Sequence, residues 1–100
     1  MIKYLSEEEI IKINELSLTE NEIFCYEQPK YVKFTLRFVK EKFQNDLYKK
    51  ALAYCICLIV HHAFKEGNHR TSLYCAQIFL KKNGFKQLAI PEKVKQIQEW

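Results

Sequence analysis

The chain has 100 residues, 48% hydrophobic and 14% aromatic, with a formal net charge of +4 at pH 7. This length predicts one compact domain over residues 1–100, with a core of its own and no room for a second domain. The charge is well below that of a dedicated nucleic-acid-binding protein. No predicted helix has a basic stripe with interleaved aromatic residues, so nucleic acid is not an expected partner.

The first nine residues contain three consecutive glutamates and no apolar stretch, which argues against a secretory signal. The longest uncharged run, 51–64, is too short to cross a bilayer and contains two histidines, so no membrane partner is expected. Four cysteines without a signal peptide are interpreted as free thiols in a reducing compartment. These features predict a cytoplasmic protein.

The first predicted helix spans about residues 7–17. Ser6 and Glu9 have the spacing of a capping box, in which each side chain bonds the backbone N–H of the other residue. Three acidic residues in the first turn suit the positive end of the helix dipole. The apolar face of this helix consists of Ile10, Ile13 and Leu16.

The periodicity is lost between residues 18 and 29, which predicts an irregular or extended connection, with a short β-hairpin as the alternative. After Pro29 the apolar residues fit a helical face, and the first of them also alternate as in a strand. The interleaved lysines and Glu41 favour a helix over Tyr31–Phe43.

A long helix capped by Asn45 or Asp46 is predicted next. Beyond Lys50 this helix is apolar on every side, which predicts a place at the centre of a bundle. The lysine pairs at 49–50 and 81–82 are interpreted as solvated helix ends. The helix ends by delivering His61 and His62.

The following helix is predicted to begin near Asn68 as its N-cap and to stop at Gly84, with Phe85 folding back in a Schellman ending. Pro91 suits the first turn of a last helix. The fold class is therefore mainly α, a single-domain helical bundle. The residues expected to point inward from the helix that begins near Asn68 are Leu73, Ala76, Phe79 and Leu80.

All three histidines, one of the two glycines and one of the two arginines lie within residues 61–70. A helix N-terminus there would offer free backbone amides to an anion, and Gly67 would let the backbone approach it closely. Arg70 can bind phosphate oxygens with its planar guanidinium, and Glu66 is a ligand of the kind Mg²⁺ prefers. His62 is a base that titrates near neutral pH. Together these residues predict group transfer from a nucleoside triphosphate.

The segment from His62 to Arg70 resembles the signature of the Fic/Doc family, His-x-Phe-x-Asp/Glu-Gly/Ala-Asn-x-Arg. The resemblance is closest to the Doc (death-on-curing) branch, because the apolar helix after the signature ends in Asn83-Gly84. In addition, Leu73 stands where AMP-transferring Fic enzymes carry a second arginine. Every defining place of the signature is filled, by His62, Phe64, Glu66, Gly67, Asn68 and Arg70.

The resemblance implies a role for each residue. His62 would be the catalytic base that deprotonates a hydroxyl of a target protein, Phe64 would anchor the loop in the core, and Glu66 would hold Mg²⁺. Residues 20–31 would form the family's flap, which docks the target's backbone as an added strand. The phosphates of ATP would be bound by Gly67, Asn68, His69 and Arg70.

The implied function is that of a Doc-like toxin. It would transfer a phosphoryl or adenylyl group from ATP to a Ser, Thr or Tyr hydroxyl of a protein, elongation factor Tu in the case of Doc, and an antitoxin would neutralise it. The alternatives are an inactive Fic-fold binding module and an AMP-transferring Fic enzyme outside a toxin–antitoxin pair.

Three departures from the family pattern are His69, Ala63 in place of the common proline, and the short C-terminus. His69 stands where Lys or Gly is usual, which leaves the orientation of the nucleotide open. The family's inhibitory motif, Ser/Thr-x-x-x-Glu-Gly/Asn, is not matched, since Ser17 to Asn21 is one residue too short. Restraint is therefore expected from a separate partner. The chain is also short at Trp100, so one family helix is expected to be truncated or missing.

Overall fold

The computed structural model describes residues 1–86, and the helix predicted from Pro91 lies outside them. Within the described residues the fold is mainly helical, as predicted. The helices are α1 (Glu7–Ser17), α2 (Pro29–Glu41), α3 (Leu47–His61) and α4 (Asn68–Lys82).

Helix α1 has the predicted bounds and the predicted capping box. Ser6 Oγ accepts from the Glu9 N–H at 3.2 Å, and Glu9 Oε1 accepts from the Ser6 N–H at 2.9 Å. The other carboxylate oxygen of Glu9 lies 2.7 Å from Lys82 Nζ, and these side chains are only 11% and 13% exposed. The interpretation of Lys82 as a solvated helix end is therefore wrong, because this residue ties the end of α4 to the start of α1.

The segment between α1 and α2 is extended but forms no hairpin within residues 1–86. It runs beside the loop that follows α3, where Tyr26 and Phe64 make an isolated antiparallel bridge. The Lys65 N–H donates to the Cys25 carbonyl at 3.0 Å. Because a distant part of the chain satisfies these backbone groups, the segment does not have to pair with itself.

Helix α2 forms in place of the alternative strand and starts two residues earlier than predicted, with Pro29 in its first turn. It ends at Glu41, because Phe43 and Gln44 take positive φ values of 66° and 46°, which a right-handed helix cannot continue through. Its buried face consists of Val32, Thr35 and Val39.

Lys50 is fully buried, so its interpretation as a solvated helix end is also wrong. Its Nζ donates to the carbonyls of Val39 at 2.6 Å and Lys42 at 2.8 Å, and the carbonyl of Lys40 lies 3.4 Å away. Carbonyls at a helix C-terminus have no partner in their own helix. Lys50 therefore caps the end of α2 from α3.

Helix α3 packs against both α2 and α4, as expected of a central helix. Asp46 caps it by accepting from the Lys49 N–H at 3.0 Å. One face of α3 stays open, however, and its four apolar side chains are each more than half exposed. The open face consists of Tyr48, Leu52, Ile56 and Val60. No helix within residues 1–86 combines the length and apolarity needed to cross a bilayer.

Helix α4 ends in the predicted Schellman motif. The Phe85 N–H donates to the Leu80 carbonyl at 3.2 Å, the Gly84 N–H donates to the Lys81 carbonyl at 3.1 Å, and Gly84 has a φ of +101°. Glycine fits this turn because residues with a Cβ rarely adopt such a φ.

The inward face of α4 differs from the prediction at Leu73, which is 50% exposed. The small polar residues Thr71 and Ser72 are fully buried instead, and Thr71 Oγ1 accepts a hydrogen bond from α1. The face of α4 that contacts α1 therefore includes Thr71, and Leu73 points outward. The buried residues of α4 are Thr71, Ser72, Cys75, Ile78 and Phe79.

Candidate active site

The two neighbouring histidines at the end of α3 have different environments. His62 is exposed and takes a left-handed conformation, with φ 48° and ψ 60°, which ends the helix and turns the chain into loop 63–67. The His61 ring instead stacks on Tyr31, with centroids 4.7 Å apart, and meets the edge of Phe34 at 5.5 Å. Of these two histidines, His62 is therefore the one that is accessible to a second molecule.

Phe64 holds the middle of the loop in the core. Its side chain is 2% exposed, and its ring stacks on Tyr26 with centroids 5.1 Å apart and an interplanar angle of 24°. Phe24 packs at a tilt on the same ring, 6.4 Å away. The loop is thus fixed between α3 and α4 by an aromatic cluster from the extended segment.

Asn68 closes this loop through its side chain. Its Oδ1 accepts from the Phe64 N–H at 3.1 Å, and its Nδ2 donates to the Phe64 carbonyl at 2.7 Å. The prediction that Asn68 is the N-cap of α4 is wrong, because Asn68 is the first helical residue and Gly67 is the N-cap. Both polar atoms of the amide are engaged with backbone, so its binding of phosphate stays a prediction.

Gly67 brings the loop close to α1 and starts α4. It has a φ of +77°, and a Cβ added there would lie 3.0 Å from Leu18 Cδ2 and 3.3 Å from Asn14 Nδ2. No side chain among residues 1–86 caps α4 at this end. The first-turn amides and the positive end of the helix dipole therefore make a candidate anion site.

The segment before α2 contacts both charged groups of the motif. Arg70 Nη2 donates to Glu22 Oε1, and this bond, together with one from the Thr19 backbone N–H, lowers the pKa of Glu22 to about 2. The Ile23 N–H donates to Glu66 Oε2 at 2.6 Å. A phosphate would therefore compete with the Glu22 carboxylate for the Arg70 guanidinium.

Glu22 is the residue of this site that the sequence interpretation missed. It stands 48 positions before Arg70, and no local spacing rule connects the two. The incomplete match to the inhibitory motif, at residues 17–21, ends one position before Glu22. The acidic character of the predicted flap was the one signal available in the sequence.

The residues present fit a magnesium–nucleotide complex. Arg70 Nε is buried without a hydrogen-bond partner within residues 1–86, so the guanidinium keeps one unpaired donor. Glu66 offers one carboxylate at the mouth of the candidate anion site, and no cluster of three metal-ligating side chains occurs in the described part of the chain. One carboxylate combined with substrate phosphates is a common way for proteins to hold Mg²⁺.

The family comparison agrees with this geometry. The model of the Fic/DOC family matches residues 4–80, a range that contains α1 to α3, the loop and most of α4. The chain belongs to the Fic/DOC family. Members of the Fic/DOC family transfer nucleotidyl or phosphoryl groups to proteins, so a transferase is the general class of function. The searches of curated proteins and of solved structures each gave no match.

Proposed function

We propose that this protein is a transferase that moves a phosphoryl or adenylyl group from ATP to a hydroxyl of a target protein. The observation that carries the proposal is the junction of α3 and α4. There an exposed His62 precedes a loop with a left-handed Gly67 and an uncapped helix N-terminus. Glu66 and Arg70 flank that N-terminus. Base, anion site, metal ligand and arginine are the groups that such a transfer needs.

His62 acts as the general base. Its accessible imidazole accepts the proton of the target's Ser, Thr or Tyr hydroxyl as that oxygen attacks phosphorus. A new O–P bond forms, and the leaving group departs as ADP in phosphoryl transfer or as pyrophosphate in adenylyl transfer. Stacking keeps the neighbouring His61 out of this role.

The start of α4 binds the phosphates. The Gly67–Arg70 amides and the helix dipole attract negative charge, and Arg70 adds its guanidinium once Glu22 is displaced. His69 is exposed on the same turn and can reach an anion. Mg²⁺ held by Glu66 would supply further positive charge on the phosphate oxygens. The Asn68 amide shapes the loop that presents these groups.

Two features support a Doc-like protein with phosphoryl transfer. Leu73, half exposed and uncharged, stands where AMP-transferring relatives carry a second arginine. Within the proposed flap of residues 20–31, residues 22–28 run beside the loop, as a segment that docks a target's backbone would, whereas residues 29–31 already belong to α2. A cytoplasmic protein such as elongation factor Tu is the proposed target and an antitoxin the proposed regulator, and the four free thiols fit a reducing compartment.

The test is intact-mass analysis of purified elongation factor Tu, and of proteins in a cell extract, after incubation with the protein and Mg·ATP. A mass increase of one phosphoryl or one adenylyl group separates the two reactions. His62→Ala should abolish labelling, whereas His61→Phe, which keeps the stacking on Tyr31, should retain it. Equal labelling by His62→Ala would overturn the catalytic assignment. Binding of Mg·ATP without transfer to any protein would favour an inactive Fic-fold module.

A further inference from the structure

Asn14 of α1 is fully buried against the loop that leads into α4, although the signature does not include it. Its Nδ2 donates to the Glu66 carbonyl at 2.8 Å and to Thr71 Oγ1 at 3.0 Å. One amide group thus connects α1 to the residue before Gly67 and to the first turn of α4. The candidate anion site is therefore held from outside its own segment.

The hydrogen bond to the Glu66 carbonyl determines the direction of one peptide unit. The carbonyl of Glu66 and the N–H of Gly67 belong to the same planar group, which is trans here, so they point in opposite directions. Asn14 holds the carbonyl towards α1. The Gly67 N–H therefore points away from α1. The Glu66 Cα, which carries the side chain, lies on the same side of the peptide unit as that N–H.

The remaining contacts of this region support the same role. Ser17 Oγ donates to the Asn14 carbonyl at 2.8 Å and lies 3.3 Å from Thr71 Oγ1, so the network spans two helices. Asn14 Oδ1 is buried and has no hydrogen-bond partner within residues 1–86. An unsatisfied buried acceptor is unfavourable. The contribution of this side chain lies accordingly in the two bonds that its Nδ2 donates.

We propose that Asn14 is a positioning residue for the candidate anion site. By fixing the Glu66–Gly67 peptide it sets both the amides that receive phosphate and the place of the Glu66 carboxylate. The inference rests on the proposed function, because it takes the phosphates of ATP to bind at the start of α4. It adds to the signature a residue of α1, which lies in a separate part of the chain.

Asn14→Leu tests this role, since leucine has a similar size and no donor. The affinity for Mg·ATP, measured by calorimetry, should fall at least about tenfold, the equivalent of one lost hydrogen bond. The Gly67 amide resonance of the ligand-free protein should also shift. Ser17→Ala is the matched control, because it removes a bond of the same network and leaves the Glu66 carbonyl untouched. It should change the affinity less than about threefold.

Asn14→Ala serves if the leucine variant does not fold, since it removes the donor with a smaller side chain. Wild-type affinity retained by the variant, together with an unchanged Gly67 resonance, would overturn the inference. Failure of the wild-type protein to bind Mg·ATP would instead refute the proposed function. In that case the Gly67 resonance still decides whether Asn14 orients the Glu66–Gly67 peptide, which a shift supports and an unchanged resonance refutes.

Discussion

Lys50→Met tests whether a buried ammonium group is what secures the end of α2. Methionine keeps an unbranched stem of similar length but loses the donors to the Val39 and Lys42 carbonyls, which now accept at 2.6 and 2.8 Å. Hydrogen bonds from charged groups contribute about 1.5–3 kcal/mol each after desolvation. The two short bonds therefore predict a loss of at least about 3 kcal/mol, a large part of the about 5–15 kcal/mol typical of a domain.

The assay is chemical and thermal unfolding followed by circular dichroism. A loss of about 3 kcal/mol should lower Tm by at least about 12 °C in a domain of this size. Lys49→Met is the matched control, because the neighbouring Lys49 is exposed, and this change should stay within about 0.5 kcal/mol. Equal stability of the two variants would refute the capping role of Lys50.

Three further predictions concern the loop and its contacts. Glu22→Gln removes the charge that neutralises Arg70, so the affinity for Mg·ATP measured by calorimetry should rise, and an unchanged affinity would show that Arg70 does not receive phosphate. The pKa of Glu22 is lowered from 4.5 to about 2. The stability gained over Glu22→Gln should thus be constant above about pH 5, fall as the pH drops through the range from 4.5 to about 2, and vanish below that range. Acid titration of both proteins checks this, and a difference that persists well below pH 2 would contradict the ion pair. Gly67→Ala should lower the unfolding free energy by at least about 1–2 kcal/mol in denaturant titrations, and by more than Gly84→Ala. The reason is that an added Cβ meets Leu18 at 3.0 Å at position 67 but meets no atom within 4 Å at position 84, so equal losses would contradict the close approach to α1.

Features that depend on neighbouring residues were predicted well from the sequence. The capping box of α1 and the Schellman ending at Gly84 each involve atoms within five positions, so their residue types suffice to specify them. The signature from His62 to Arg70 is local as well, and it located the candidate site at the junction of two helices. The fold class followed from the same periodic patterns.

Two of the errors, at Lys82 and Leu73, come from polar contacts between residues that lie far apart along the chain. Lys82 carries the same local pattern as a solvated lysine, and its partner Glu9 stands at the other end of the described chain. Leu73 was expected to face inward, because the hydrogen bonding of Thr71 with α1 has no counterpart in hydropathy. Periodicity reports how apolar a face is and carries no information on which polar groups meet across helices.

The sequence by itself determined the helical class, the ends of α1, the end of α4 and the position of the candidate site, because each rests on short-range bonding and hydrophobic period. Tertiary structure alone decided that Glu22 covers Arg70, that Asn14 supports the Glu66 carbonyl and that Lys50 caps α2. Those contacts join atoms from different elements. Their geometry is set only when burial of the common core brings the helices together.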